Sequence, residues 1–176
     1  TRDAVIARAH AYFDDADGYW ADLARRVAIP TECQKPERLP VLYQYLEEEM
    51  RPCFEAIGYT CRVYDNPMEG MGPALLATRI EDKNLPTILG YGHGDVVRGH
   101  EGRWAEDRDP WKLTRDGDKV YGRGTADNKG QHSVHMGALK SVIEERGHLG
   151  FNSKFIIETG EENGSWGLKD MVALHK

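Results

Sequence analysis

The chain has 176 residues, 30% of them charged, and sets 23 Lys and Arg against 29 Asp and Glu for a formal charge of −6. That length suits one ordinary domain with its own core, so no disulfide or metal is needed merely to fold. The acidic balance argues against a nucleic-acid partner, which needs a basic face, and no apolar run approaches the about 20 residues that cross a bilayer.

Taken in chain order, the first 60 residues read as helices. Val5, Ile6, Ala9, Tyr12 and Phe13 recur at helical spacing, and Trp20, Leu23, Ala24 and Val27 form a second stripe that stops at Ile29-Pro30. Leu42, Tyr45, Leu46 and Met50 begin a third helix, with Pro40 at its start and Gly58 beyond its end. Pro52 lies inside that pattern and predicts a kink or break, because proline has no N–H to donate.

The pattern then changes. Residues 59–64 and 74–80 read as strands, and TILGY at 87–91 reads as a short buried strand between Pro86 and a glycine-rich segment. A helix is expected after Asn128, with Val134, Ala138, Val142 and Ile143 on its inner face. Residues 151–158 give another strand and 166–175 a closing helix. Strands alternating with helices predict an α/β fold in three layers, a mostly parallel central sheet flanked by helices.

Nine of the 19 glycines fall between positions 90 and 130, which marks that stretch as the turn-rich framework of a site. Cys33, Cys53 and Cys61 form no CxxC pair. Free thiols and a cytoplasmic setting are expected, since TRDAVIARAH at the N-terminus is no signal peptide.

Three segments place metal-ligating residue types where strands or turns end. In Gly92-His93-Gly94-Asp95, residues i and i+2 of an extended chain share a side, so Asp95 can accept the ring N–H of His93 and orient it as a ligand. A turn with a capping Asp and a surface His explains the same residues equally well. In GRGTADNKG at 122–130, Asp127 stands between a glycine turn and a helix start. An N-cap is the simpler role for it. In ETGEENGS at 158–165, Glu161 and Glu162 follow an apolar strand. Such a pair is either a solvated acidic loop or a metal ligand beside a general base. In an open α/β sheet, ligands collect beyond the carboxyl ends of the strands. That common location favours joint work by the three segments on a divalent ion, with Zn²⁺ expected from a His-plus-carboxylate donor set and Co²⁺ or Mn²⁺ as alternatives.

Together GHGDVV at 92–97, DPW at 109–111, VYGRGTADNKG at 120–130 and ETGEENGS at 158–165 resemble the M20 family of zinc peptidases and amidohydrolases. The resemblance runs from about Trp20 to the C-terminus. It implies His93 as a ligand of one zinc and Asp95 as the residue that orients it. It implies Asp127 as the carboxylate bridging two zincs, often with a cis peptide to the next residue, here Asn128. Glu161 is implied as the general base and Glu162 as a ligand of the second zinc. It further implies hydrolysis of amide bonds in N-acyl amino acids or short peptides and a homodimeric whole protein. In that family each zinc takes one more ligand, from positions beyond Lys176. The chain is therefore expected to be the N-terminal portion of a catalytic domain, without the dimerisation domain or the C-terminal catalytic segment, and inactive alone. Gly94 departs from the family, where a larger residue is common.

Other residues carry less. His132 and His135, at i and i+3 of a helix, could pair on a metal but more often serve packing. Trp104, Trp111 and Tyr121 read as loop anchors, and Arg98, Arg103 and Arg123 as solvated, with a substrate carboxylate as the alternative. The GRG turn lacks the full GxGxxG and the GK[ST] of a phosphate loop, and no GxSxG elbow occurs. Two rival readings remain at this point: a catalytically silent binding module of the same fold, and a nucleotide-binding α/β domain.

Overall fold

A computed structural model describes residues 1–175. Helix α1 (Arg2–Asp14) starts where the Thr1 hydroxyl caps the Ala4 N–H, and α2 (Tyr19–Ala28) ends at extended Ile29 before Pro30. Helix α3 (Leu39–Gln44) does not break at Pro52. It widens into a π-helical stretch, Tyr45–Met50, and resumes as α4 (Arg51–Glu55). A wider turn accommodates a proline that cannot donate to the preceding turn, so the strain is spread over residues 45–50 instead of ending the helix.

Four strands form the main sheet: β1 (Thr60–Tyr64), β2 (Ala74–Arg79), β3 (Thr87–His93) and β6 (Asn152–Glu158), in the spatial order β1-β2-β6-β3. The class is α/β, as expected, but within these residues the sheet is mixed. β3 runs parallel to β6, while β2 is antiparallel to both β1 and β6. The reason lies in the connections. β1 and β2 are joined by a short loop, which permits only antiparallel pairing, whereas β3 and β6 are joined through a long segment that contains helix α5 (Lys129–Arg146). A separate hairpin, β4 (Thr114–Asp116) and β5 (Lys119–Tyr121), turns on Gly117-Asp118. Two residues with glycine first are a favoured hairpin loop, a signal the strand reading passed over.

The main core joins Tyr45, Leu46, Met50 and Phe54 to Leu75, Ala77, Phe155 and Ile157 on one face of the sheet, with Met136 from α5. α5 buries a different face from the one its apolar residues predict. Val134 is 54% exposed, while Lys129, Gly130, His132, Ser133, Met136, Gly137 and Ser141 are buried. The hydroxyls of Ser133 and Ser141 donate to the carbonyls of Lys129 and Gly137 one turn back, and Gly137 lies against the Tyr12 ring. Small, internally satisfied residues let α5 approach its neighbours closely, and that closeness outweighs the apolar stripe. The last helix, α6 (Leu168–Leu174), begins two residues later than 166 and inserts Met171. Among the described residues no helix is long and apolar enough to cross a membrane.

Candidate active site

The site lies where β3 and β6 end side by side. His93, the last residue of β3, pairs in register with Glu158, the last of β6, and the Gly94 N–H donates to the Glu158 carbonyl at 2.8 Å. Both chains then leave the sheet together, so the turns carrying Asp95 and Glu161-Glu162 are neighbours by topology. The β3 exit is pinned from the other side. The Thr31 hydroxyl donates to the Gly94 carbonyl at 2.6 Å, and the Val96 N–H donates to the Thr31 carbonyl at 2.9 Å.

His93 is buried, and its two ring nitrogens face opposite ways. Nδ1 lies 3.1 Å from the Asp95 carbonyl oxygen and 3.4 Å from the Asp95 carboxylate Oδ1. The expected pairing of His93 with Asp95 is therefore present, with the main-chain carbonyl as the nearer acceptor and the carboxylate behind it. Nε2 points outward, 2.9 Å from Asp127 Oδ1 and 3.6 Å from Glu161 Oε2. Burial alone would discourage a charged imidazole. Asp95, Asp127 and Glu161 outweigh it, and His93 is pushed up to about 9.

Asp95 is fully buried. Its Oδ2 accepts the Glu162 N–H at 3.0 Å, which ties the β3 exit to the glutamate turn. Its Oδ1 finds no hydrogen-bond donor among the described residues. Asp127 is not consumed as a helix cap, the simpler role the sequence offered. Asn128 occupies that position without a side-chain capping bond, the Asp127–Asn128 peptide is cis, and the Asp127 carboxylate is 66% exposed. Glu161 and Glu162 sit on the single 3-10 turn Glu161–Asn163. Gly164, left-handed at φ 93, closes that turn by donating to the Glu161 carbonyl at 2.7 Å. The Asn163 amide anchors it to the Cys33 carbonyl at 2.9 Å. Burial first, then the neighbouring Asp127 charge, raises the Glu162 carboxyl above the usual range.

All five residues singled out in the sequence are thus brought to one place. His132 is near them but is no ligand of that centre, because both its ring nitrogens are engaged, one by Tyr45 and one by Asn128. Its i+3 companion His135 is exposed and packs edge-on to Phe155 instead. Cys33 lies beside the glutamate turn. Burial and the Asp95 and Glu162 carboxylates push its thiol up, which disfavours the thiolate.

Several supporting residues were not foreseen. Lys129 is fully buried and donates to the Arg26 and Ile29 carbonyls at 2.8 and 2.7 Å, fastening the start of α5 to the end of α2. Buried Glu158 accepts from the Tyr91 and Ser165 hydroxyls at 2.5 and 2.8 Å, which holds the far end of the glutamate turn against the sheet. These bonds join residues far apart in the chain, and no local spacing announces them.

Among the described residues no group of three or more His, Cys, Asp or Glu closes into a ready cluster for a metal ion. The donor set nevertheless suits a divalent cation. One imidazole nitrogen and the carboxylates of Asp127 and Glu161 converge, Glu162 is crowded by like charge, and a buried Asp95 oxygen stands behind the ring. Nitrogen and oxygen donors with excess negative charge are what such an ion neutralises.

Comparison with known proteins agrees with this layout. Residues 89–176 match the model of peptidase family M20/M25/M40, and that stretch is half of the chain; the chain belongs to this family. The mouse Beta-Ala-His dipeptidase is 38% identical over 105 residues, 59% of this chain and 21% of that protein. The succinyl-diaminopimelate desuccinylase of Legionella pneumophila strain Corby is 31% identical over 163 residues, 88% of this chain and 37% of the relative. Among solved structures, human carnosine dipeptidase 1 superposes with a TM-score of 0.87 at 28% identity, covering 97% of this chain and 37% of that one. An M20 family metallo-carboxypeptidase from Sulfolobus solfataricus gives a TM-score of 0.72 at 25% identity, covering 86% of this chain and 33% of its own. The matched residues span about a fifth of the mouse dipeptidase, and nearly the whole chain spans little more than a third of human carnosine dipeptidase 1.

Proposed function

We propose that this chain carries part of the active centre of a metal-dependent hydrolase that cleaves amide bonds of short peptides or N-acyl amino acids. The observation that carries the reading is the convergence of His93 Nε2, Asp127 Oδ1 and Glu161 Oε2 at the ends of two adjacent parallel strands. His93, Asp127 and Glu162 are the residues that would hold the metal, Zn²⁺ first and Co²⁺ or Mn²⁺ in its place. An ion held there supplies positive charge that makes water more acidic and polarises the scissile carbonyl.

The chain's own groups do the rest. Asp95 holds His93 in one orientation through Nδ1, which turns Nε2 toward Asp127 and Glu161 as the ring nitrogen that would ligate a metal. Glu161 is the general base. Its side chain is 43% exposed and reaches the same space as His93 Nε2 without being locked into a hydrogen bond. Its carboxylate takes a proton from water as the oxygen bonds to the carbonyl carbon, then gives that proton to the amine nitrogen as the C–N bond breaks. The Glu162 main-chain bond to Asp95 keeps the turn registered on the sheet, so base and ligand move as one unit.

Dipeptides are the favoured substrates, on the likeness to human carnosine dipeptidase 1, with N-acyl amino acids second, on the desuccinylase relatives. The chain is proposed to be the N-terminal portion of the catalytic domain, with further ligands supplied by sequence outside these residues. The test is a hydrolysis panel of dipeptides and N-acyl amino acids before and after chelation of the full protein. Hydrolysis lost on chelation and restored by Zn²⁺, Co²⁺ or Mn²⁺ supports the reading, and hydrolysis untouched by chelation contradicts it. His93→Ala and Glu162→Ala should each lower the bound metal measured by elemental analysis.

A further inference from the structure

Directly behind the candidate centre runs a buried chain of polar contacts that the proposed chemistry does not use. The Tyr45 hydroxyl lies 2.7 Å from His132 Nε2, His132 Nδ1 lies 3.2 Å from Asn128 Oδ1, and the His93 N–H donates to the same Asn128 Oδ1 at 3.2 Å. Tyr45 and His132 are both fully buried.

The direction of every bond follows from chemistry. A main-chain N–H can only donate, so the Asn128 atom facing His93 is the carbonyl oxygen. That oxygen can only accept, so His132 carries its proton on Nδ1. Its Nε2 is then a bare acceptor, and the Tyr45 hydroxyl donates to it. Burial, then the positive charges of Arg26 and Lys129, keep His132 neutral, as one donor and one acceptor per ring require. The Asn128 amide nitrogen donates separately to Gln131 at 3.0 Å, so no atom of the amide competes for two roles.

The glycines on either side of His93 make room for this chain of contacts. A Cβ on Gly92 would stand 2.8 Å from His132 Cβ and 3.1 Å from Asn128 Oδ1, and a Cβ on Gly94 would stand 2.4 Å from Tyr45 Cε1. The Gly94 that departs from the family pattern is therefore matched by the Tyr45 ring that fills its place. Tyr45 itself sits at the start of the π-helical widening, whose path fixes where its ring projects.

The geometry points to Tyr45–His132–Asn128 as a positioning relay that sets the His93 main chain and, through the residue next to it, the Asp127 carboxylate at the spacing a metal needs. This rests on the metal reading above. It adds three positioning residues that touch neither substrate nor metal and act on two ligands at once.

Two measurements decide it. In the ¹⁵N NMR spectrum of the protein, His132 should show a protonated Nδ1 and an unprotonated Nε2; the opposite tautomer overturns the relay, whatever the metal does. Second, Co²⁺ affinity is measured by competition with a chromophoric chelator, alongside the Co²⁺ absorption spectrum and the circular dichroism of each variant. Tyr45→Phe keeps the ring and loses only the hydroxyl, and His132→Leu loses both ring contacts. Each should weaken Co²⁺ binding about tenfold or more and alter the spectrum. His132→Gln, whose amide can accept from Tyr45 and donate to Asn128, should restore affinity to within a few-fold of wild type. If natively folded Tyr45→Phe and His132→Leu bind Co²⁺ as tightly as wild type, the relay falls and the metal reading stands. If wild type binds no Co²⁺, both fall together.

Discussion

His93 Nε2 lies 2.9 Å from Asp127 Oδ1 although the two residues are 34 positions apart and only His93 stands on a regular element. One ends an edge strand and the other precedes the helix packed on that strand. The contact exists only because α5 approaches β3 closely enough for both to reach the same point, so closeness of packing and the chemistry of the site are one property here.

That dependence makes Gly94→Ala informative. The new methyl would meet the ring of a fully buried tyrosine, which has no room to retreat. Overpacking of this kind costs about 1–3 kcal/mol. Urea denaturation of the variant should show a lower midpoint at unchanged slope, and Gly94→Ala combined with Tyr45→Leu should recover part of the loss. Equal stability of Gly94→Ala and wild type would mean that the two residues are not coupled.

Lys129 offers a second test of the same packing. Burial pushes its ammonium down to about 7, yet its nitrogen serves two carbonyls at the end of α2. Lys129→Leu removes one donor from each carbonyl, which keep only the Ile29 and Thr31 N–H groups, at about 0.5–1.5 kcal/mol for each bond lost. The expected result is a marked fall in the melting temperature together with loosened α2 amides in hydrogen exchange. A variant as stable as wild type would show that the lysine bonds contribute nothing net.

His132 sets a pH dependence. It is buried and held neutral, so its folded pKa lies well below the ordinary value of 6.5. Below 6.5 the unfolded chain gains a proton that the folded chain refuses, and stability falls as pH drops from 6.5 toward the folded pKa. Above 6.5 the residue makes no difference to the slope. Melting temperatures of wild type and His132→Gln across pH 4 to 8 should therefore diverge in slope only on the acid side, with the variant flatter. Parallel curves throughout would contradict a buried neutral histidine.

The turn that carries the glutamates is anchored by Glu158. Glu158→Ala removes the acceptor of the Tyr91 and Ser165 hydroxyls. Hydrogen exchange at residues 160–165 should accelerate and hydrolysis should weaken, while the core amides of β6 stay protected. Unchanged exchange in the turn would assign its order to Asp95 and Asn163 alone.

How much of this could be read from the sequence depends on the range of the interaction. His93, Asp95, Asp127, Glu161 and Glu162 stand in short motifs at strand ends, and the α/β rule about strand ends gathers them without any long-range information. The positions of α1, α2 and the four main strands followed from periodicity, but their burial did not: α1 buries no residue, and β3, expected to be buried, leaves Ile88, Leu89 and Tyr91 exposed. The face of α5 did not follow either, because its apolar residues form a stripe while its burial was decided by Ser133, Gly137 and Ser141, whose small size counts only once a neighbouring helix is present. The antiparallel placing of β2 was hidden for the same reason, as was the partnership of Tyr45 with His132 across 87 residues. A histidine whose partners lie that far away looks, in sequence, like any other helical histidine.

The central claim is that Glu161 moves the proton in an amide hydrolysis. It is tested most directly by comparing Glu161→Gln with wild type in the full protein, measuring metal content and turnover on the best substrate of the peptide and N-acyl amino acid panel. Glutamine preserves the shape and removes the base, so metal content should stay at the wild-type level while kcat falls about 10²-fold or more. Wild-type turnover in a metal-replete Glu161→Gln protein would contradict the account.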